Sequence, residues 1–221
     1  MTYEAVTILG HLGEVRGGLV TSAQASAAGV SPFQVSRMAD AGVLIPVGRR
    51  GVYRMVGAPE LEHEDITATW LSLKGIDAPA SEHGAQGLVV AGVDAAILHG
   101  LGDFYPGDHE LISASRKTTR QSDVRIRHAQ LHPEDVTWAA SVPVLTVERM
   151  IADLMATWVE SSLVIDVVRD AIQAGRLVHP QRLSEALAPM AAARGFAAGD
   201  GAAVAEWLYE HAGLQPLGAV A

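Results

Sequence analysis

Glycines divide the first 57 residues into short segments, and their positions strongly constrain what this part of the chain can fold into. Gly17-Gly18, Gly29 and Gly42 each follow a stretch that has helical character, and Gly48-Arg49-Arg50-Gly51 separates two apolar runs. Glycine is favoured where a helix ends and in turns that require a positive φ. The spacing therefore predicts three short helices followed by a two-stranded hairpin.

The beginnings of these helices are also marked in the sequence. Thr21 or Ser22 can cap the second helix, and Ser31 precedes Pro32 at the start of the third. Hydroxyl oxygens accept hydrogen bonds from the first N–H groups of a helix, and proline is tolerated at the first helical position. The predicted elements are helices over 2–15, 22–28 and 32–41 and strands over 43–47 and 52–55. This order is typical of a winged helix-turn-helix, whose third helix is the recognition helix.

From residue 58 onwards the pattern changes to a mixture of strands and longer helices. A linker, Gly57-Ala58-Pro59-Glu60, precedes an acidic helix over 61–73, which Asp77-Ala78-Pro79 is predicted to break. Strands are predicted over 109–114, 124–127 and 141–145, and residues 88–91 are either a strand or the lead into the next helix. Helices are predicted over 93–99, 147–156, 161–174, 181–193 and 202–212. We therefore predict an α+β protein with a winged helix-turn-helix domain over 1–57. A mixed α/β domain over 58–221 follows, which is helical after about residue 145.

Charge is unevenly distributed along a chain whose net charge is −9. Residues 1–57 carry five basic against three acidic side chains, and residues 113–128 carry five against one. Acidic regions are screened beyond a Debye length of about 8 Å, so these basic segments can still attract phosphate groups. The acidic total therefore does not exclude binding to nucleic acid.

The sequence predicts neither a membrane span nor a site for catalysis or metal binding. No apolar run approaches the ~18 residues of a span, and the N-terminus lacks the features of a secretory signal, so we expect a cytoplasmic protein. The chain has no cysteine, and His99, His109, His128 and His132 lack the spacing of metal ligands. No phosphate-binding glycine loop or nucleophile motif is present, so we predict no enzyme, no cofactor and no metal. His99 precedes Gly100 and is expected at a helix C-terminus, where a positive charge is favourable.

The predicted recognition helix and hairpin carry the side chains that we expect to contact DNA. Glutamine can bind adenine and arginine can bind guanine with two hydrogen bonds each, and a hairpin with adjacent arginines can follow the phosphate backbone. The alternatives are a solvated helix face and an ordinary charged hairpin. The candidate DNA-binding residues are Thr21, Ser31, Gln34, Ser36, Arg37, Arg49, Arg50, Tyr53 and Arg54.

A second basic segment lies within residues 113–128. It could add contacts to phosphates or meet an acidic partner surface. The alternation of Val124-Arg125-Ile126-Arg127 equally fits a half-exposed strand that has no partner. The basic residues of this possible second surface are Arg116, Lys117, Arg120, Arg125 and Arg127.

Several segments, taken in order, resemble one known family. They are Gly18-Leu19-Val20-Thr21, Ala25, Gly29-Val30-Ser31, Val43-Leu44, Gly48-Arg49-Arg50-Gly51-Val52-Tyr53, Ala95-Ala96-Ile97-Leu98-His99-Gly100-Leu101, Leu131-His132-Pro133-Glu134-Asp135-Val136 and the run from Val142 to Leu154. Together they resemble the AbiEi-type antitoxins of abortive-infection toxin–antitoxin systems. The resemblance covers most of residues 15–155 and extends to the last third only in its helical character.

The resemblance implies a function for each domain. The N-terminal domain would bind inverted repeats in the promoter of its own operon and repress transcription. Self-association on the double-stranded DNA is expected separately, because one module reads too few base pairs for useful specificity. The C-terminal domain would neutralise a cognate nucleotidyltransferase-type toxin. The alternative is a winged helix that serves as a protein–protein interaction module without DNA binding, which the net charge of −9 favours. A catalytic role for the second domain is a third possibility.

Overall fold

The computed structural model describes residues 3–74 and 84–213, which form a mixed α+β fold with two compact units. The first unit contains the described residues up to 74 together with the short segment 138–143. The second contains residues 84–137 and 144–213. The α+β fold class is confirmed, whereas the predicted break at Asp77-Ala78-Pro79 lies outside the described residues.

The first unit contains four helices and a three-stranded antiparallel sheet in its described part. In chain order these are α1 (Tyr3–Glu14), β1 (Leu19–Thr21), α2 (Ser22–Ala27), α3 (Pro32–Asp40), β2 (Leu44–Pro46), β3 (Val52–Met55) and α4 (Glu64–Lys74). Strand β3 is central and pairs with β1 on one side and β2 on the other. The first three helices and the hairpin lie within two residues of their predicted positions.

Two capping boxes fix where α2 and α3 begin. The Gln24 N–H donates to Thr21 Oγ1 at 3.1 Å, and the Thr21 N–H donates to Gln24 Oε1 at 2.9 Å. Ser31 and Gln34 repeat this arrangement at 3.3 Å and 2.9 Å. In each case two N–H groups that the helix leaves unpaired obtain acceptors. The polar residues at these positions therefore have a clear structural role.

A compact apolar cluster joins the first three helices to the sheet. Val35 and Met38 of α3 are buried in this cluster, so the positions between and beside them face outward. The buried members of the cluster are Ala5, Leu9, Val20, Ala25, Val30, Val35, Met38 and Leu44. The packing explains why these short helices are stable, since helices of six or nine residues do not persist alone.

The segment after β3 packs back onto the first unit. Gly18 has φ +87°, and a Cβ atom built on it would lie only 2.2 Å from the Cβ of Ala58. Further along, the Arg54 guanidinium of β3 donates to Glu64 Oε1 of α4 at 2.7 Å. The first compact unit thus extends beyond residue 57, where the sequence placed the boundary, because these contacts join residues that local patterns do not connect.

The described chain from residue 84 onwards contains a five-stranded mixed sheet, of which residues 138–143 are grouped with the first unit. Its elements are β4 (Leu88–Val90), α5 (Gly92–His99), β5 (His109–Ser113), β6 (Val124–His128), β7 (Val136–Ala139), β8 (Val142–Leu145), α6 (Val147–Ala156), α7 (Ser161–Gln173), α8 (Pro180–Leu187) and α9 (Gly201–His211). The strand order is β6-β5-β4-β8-β7, with β4 antiparallel to β5 and parallel to β8, and β5 parallel to β6. Helix α6 packs against α5, α7 and α8 and is almost entirely buried.

Three elements differ from the prediction, and the first is strand β1, which adds a third strand to the predicted hairpin. Strand β7 was not predicted; it is joined to β8 by Ala140 and Ser141, whose φ values are 46° and 62°. Two-residue turns with positive φ at both positions usually carry Asn-Gly, so Ala-Ser gave no signal. The helix predicted over 181–193 ends at Leu187, since Pro189 has no N–H with which to continue the helical hydrogen bonds.

His99 is the last residue of α5, as expected, but it is buried. The residue is only 8% exposed, and its Nε2–H donates to the carbonyl oxygen of Leu145 at 2.7 Å. Burial lowers the pKa of His99, although the hydrogen bond to the Leu145 carbonyl opposes this effect. Desolvation therefore favours the neutral ring over the charged one at this helix end.

No helix in residues 3–74 or 84–213 is both long and apolar enough to cross a lipid bilayer.

We expect Gly18→Ala to destabilise the protein more than Gly57→Ala does. Both glycines have φ +87°, but space around Gly57 is open, whereas a Cβ at Gly18 would collide with Ala58. The control variant should cost about 1 kcal/mol for the left-handed backbone, and Gly18→Ala should cost a further ~1–3 kcal/mol from overpacking. Urea unfolding measures both, and equal losses would contradict the packing of residue 58 on Gly18.

The low pKa of His99 predicts a loss of stability as the pH falls. In the unfolded chain His99 takes up a proton near pH 6.5, whereas in the folded protein it does so only at lower pH. The unfolded state therefore binds more protons in this window, and the free energy of unfolding decreases from about pH 7 to pH 5. His99→Gln keeps an N–H donor for Leu145 but cannot titrate, so it should show a shallower decrease in urea unfolding. A pH dependence of His99→Gln equal to that of the wild type would contradict this account.

Candidate nucleic-acid interface

Helix α3 and the hairpin formed by β2 and β3 line a groove on the surface of the first unit. The groove has a volume of about 450 Å³. Helix α3 contributes Val35, Ser36 and Ala39, and the hairpin contributes Pro46, Arg50 and Tyr53 among others. A helix and a basic hairpin tip thus border the same open surface.

The outward face of α3 carries polar and aromatic side chains. Ser36 and Arg37 are exposed, and so is Phe33, at 71%. The Arg37 guanidinium carbon lies 5.9 Å from the centre of the Phe33 ring, within the range of a cation–π contact. Sequence reasoning overlooked Phe33, although its place between the capping residue Ser31 and the buried Val35 could have shown that it faces solvent.

The hairpin tip is held on both sides of Arg50. Arg49 Nε–H donates to Thr69 Oγ1 of α4 at 2.7 Å, and the Ser22 N–H donates to the Gly51 carbonyl oxygen at 2.8 Å. Gly51 has φ +77°, a backbone conformation in which glycine is favoured over other residues. The Arg50 side chain itself is exposed. Of the two adjacent arginines, Arg50 is therefore the one directed to solvent.

Three of the predicted DNA-binding residues take part in helix caps. Thr21 is buried and caps α2, while Ser31 and Gln34 cap α3. Gln34 Oε1 accepts from both the N–H and the hydroxyl of Ser31, each at 2.9 Å. A two-bond contact between Gln34 and adenine needs this carbonyl, so the contact would require the capping box to break. Tyr53 is half-buried against the apolar cluster and borders the groove.

Arg54 is enclosed by acidic side chains. Its side chain is 13% exposed, its Nη1 lies 2.7 Å from Glu64 Oε1, and its Nη2 lies 3.7 Å from Glu60 Oε2. The Glu64 side chain is 14% exposed. A guanidinium that is largely buried and already paired is poorly placed to meet a phosphate, and its evident role is structural.

The second basic segment divides into exposed and buried members. Arg116, Lys117 and Arg120 are exposed in the loop between β5 and β6, and the Arg125 side chain is 69% exposed. The Arg127 side chain is 21% exposed and donates through Nη1 to Asp153 Oδ1 at 2.8 Å. Burial acts to lower the pKa of Arg127, but Asp153 and Glu110 outweigh it and raise the pKa. Arg127 therefore belongs to a structural ion pair. Its assignment to the second basic surface in the sequence analysis is corrected accordingly.

The described ranges contain no group of three or more histidine, aspartate or glutamate side chains arranged to hold a metal ion.

Comparisons with known proteins find a family match over part of the chain. Residues 15–56 match a family described as "Transcriptional regulator, AbiEi antitoxin". The matched segment begins just before β1 and ends just after β3, so it contains α2, α3 and the hairpin. No curated protein sequence matches the chain.

A solved structure resembles the chain over most of its length. This is the crystal structure of the RV2827C protein from Mycobacterium tuberculosis, with a TM-score of 0.52 and 16% sequence identity. The match covers 97% of this chain and 79% of that one. At this identity the likeness concerns the fold alone. The family resemblance rests instead on residues 15–56, over which the chain is confirmed as similar to the AbiEi antitoxins.

Proposed function

We propose that this protein is an antitoxin and transcriptional repressor whose first unit is a winged helix-turn-helix. It would bind the promoter of its own operon at inverted repeats, and it would neutralise a cognate nucleotidyltransferase-type toxin through its second unit. The family match over residues 15–56 supports the regulatory and antitoxin roles. The action is non-covalent, involves no cofactor and takes place in the cytoplasm.

The observation that carries the DNA-binding proposal is the shared groove between α3 and the basic hairpin tip. An α-helix with its side chains is about 10–12 Å in diameter, which fits a major groove about 12 Å wide, and α3 offers nine residues to it. Its exposed Ser36 and Arg37 would face base edges, and Phe33 could contact the methyl group of a thymine. Arg50, at the hairpin tip, would meet the phosphate backbone or the minor groove.

The contacts within the protein separate the candidate residues into two groups. Ser36, Arg37 and Arg50, with the addition of Phe33, are proposed to contact DNA directly. The others support these contacts: Thr21, Ser31 and Gln34 cap the two helices, Tyr53 packs beside the groove, and Arg49 and Arg54 tie the hairpin to α4. The exposed Arg116, Lys117, Arg120 and Arg125 remain a possible second surface for phosphates or an acidic partner.

One copy of this module reads only a few base pairs, so specific binding requires more than one copy. A recognition helix contacts base edges with about four side chains, and a dimer on two half-sites doubles the number of base pairs that are read. Inverted repeats in the promoter would match two copies related by a two-fold axis. We therefore propose that the protein self-associates on its DNA.

A second candidate function is a protein–protein interaction module that does not bind DNA. Two observations favour it: the net charge of −9, and the 71% exposure of Phe33 on α3. Exposed aromatic residues are frequent anchors of protein interfaces. Binding measurements across a salt series separate the two functions, because contact with phosphates releases counterions and contact with a neutral protein surface does not.

We expect the protein to bind its own promoter DNA with an affinity that decreases steeply as salt increases. Arg50→Ala should weaken binding to specific and unrelated DNA alike and reduce the slope of log K against log salt by about one, as for one lost phosphate contact. Arg37→Ala should cost about 1–3 kcal/mol on the specific site and relax its sequence preference. Fluorescence anisotropy with labelled duplexes measures both.

Arg182→Ala provides the control for a general loss of positive charge, since Arg182 is an exposed arginine of α8 in the other unit. It should bind as the wild type does. Folded wild-type protein that fails to bind the promoter at low salt would eliminate the repressor and leave the interaction module.

A further inference from the structure

We propose that Thr69 on helix α4 is a positioning residue for the hairpin tip that meets DNA. This inference rests on the proposed function, which it deepens by adding an element outside the matched segment 15–56. Thr69 holds Arg49, Glu64 holds Arg54, and together they set the direction in which Arg50 meets DNA. Three contacts, all within the first unit, hold the hairpin in this way.

The first contact joins Thr69 to Arg49. The Thr69 hydroxyl donates to the Asp65 carbonyl oxygen at 2.7 Å, which uses its only hydrogen. Its oxygen can then only accept, and it accepts from Arg49 Nε–H, also at 2.7 Å. Thr69 is 1% exposed, so water does not compete for this acceptor. The hydroxyl is therefore oriented for a cationic N–H donor before any DNA is present.

The second contact is the ion pair between Arg54 and Glu64. Arg49 and Arg54 are five residues apart on the hairpin, and Thr69 and Glu64 are five residues apart on α4, in the opposite order. Two attachment points restrain both the position and the rotation of the hairpin, which one contact could not do. Helix α4 also packs against β1 and β3, so the restraint acts on the sheet as well as on its tip.

The third contact is on the far side of the exposed arginine. Gly51, the residue after Arg50, accepts a hydrogen bond at its carbonyl oxygen from the N–H of Ser22 in α2. The backbone of Arg50 therefore lies between a residue held by α4 and a residue held by α2. A tip ordered in advance does not lose conformational freedom when it binds, and this pre-organisation strengthens binding without a new contact.

The test is the substitution Thr69→Val in the full chain, compared with Thr69→Ser and Thr67→Val. Valine keeps the branched shape of threonine but lacks the hydroxyl oxygen that accepts from Arg49, whereas serine keeps this oxygen. Thr67 is equally buried on the same helix, but its hydroxyl faces the Ala140 carbonyl oxygen at 3.5 Å and not the hairpin. Circular dichroism and urea unfolding first establish that all three variants are folded.

For promoter DNA in a salt series, we expect Thr69→Val to weaken binding by about threefold to tenfold with an unchanged slope of log K against log salt. An unchanged slope indicates that no phosphate contact is lost and distinguishes positioning from the direct role of Arg50. Thr69→Ser and Thr67→Val should bind as the wild type does. Equal or tighter binding by Thr69→Val would overturn the proposal, and so would a loss of the same size in Thr67→Val.

Amide hydrogen exchange without DNA separates this proposal from the proposed function. The Val52 N–H donates to the Arg49 carbonyl oxygen at 3.1 Å and reports on the order of the tip. We expect it to exchange severalfold faster in Thr69→Val than in Thr67→Val. If the wild type binds no DNA, the proposed function fails, while faster exchange still shows that Thr69 positions the hairpin. Unchanged exchange overturns the positioning role whatever the DNA result.

Discussion

A nearly buried positive charge on the central strand of the first sheet determines how the chain continues after the hairpin. Arg54 lies on β3, between β1 and β2, and its side chain is largely excluded from water. A buried guanidinium without a counter-charge is strongly destabilising, so an acid must reach it. Glu64 does so, and the connecting segment therefore returns to the sheet instead of leading away from it. The packing of Ala58 on Gly18 keeps the same connecting segment close to the sheet.

The second unit satisfies the same kind of requirement with Arg127 and Asp153. Asp153 is 1% exposed on α6, and it accepts hydrogen bonds from Arg127 and, at 3.0 Å, from the N–H of Gly92 at the start of α5. The pair thereby links β6, α5 and α6. In both units, an arginine that a charge count assigns to a basic surface is withdrawn from that surface. The positive charge that the two basic segments offer to a ligand is thus smaller than their count of basic residues suggests, and it is carried by Arg37, Arg50, Arg125 and the loop after β5.

What the sequence could predict depends on how far apart the interacting residues are. Ser31 and Gln34 form a cap within four residues, and glycines with positive φ end the helices, so the first three helices and the hairpin were placed accurately. The turn at Ala140 and Ser141 was missed because its backbone is held by the surrounding sheet and not by residues that prefer that conformation. The roles of Arg49, Arg54 and Arg127 could not be predicted from local patterns either, because each depends on a partner between ten and 26 residues away.

The capping box of α3 limits how such a protein could acquire a new binding site in evolution. Because Gln34 Oε1 supports the start of the helix through Ser31, replacing either residue changes stability as well as recognition. Phe33, Ser36 and Arg37 are exposed and take no part in the capping box, so they can vary without disturbing the buried Val35 and Met38. Divergence between related regulators should therefore concentrate at these three outward positions while the cap persists. The residues that stabilise the helix would then be different from the residues that determine its binding specificity.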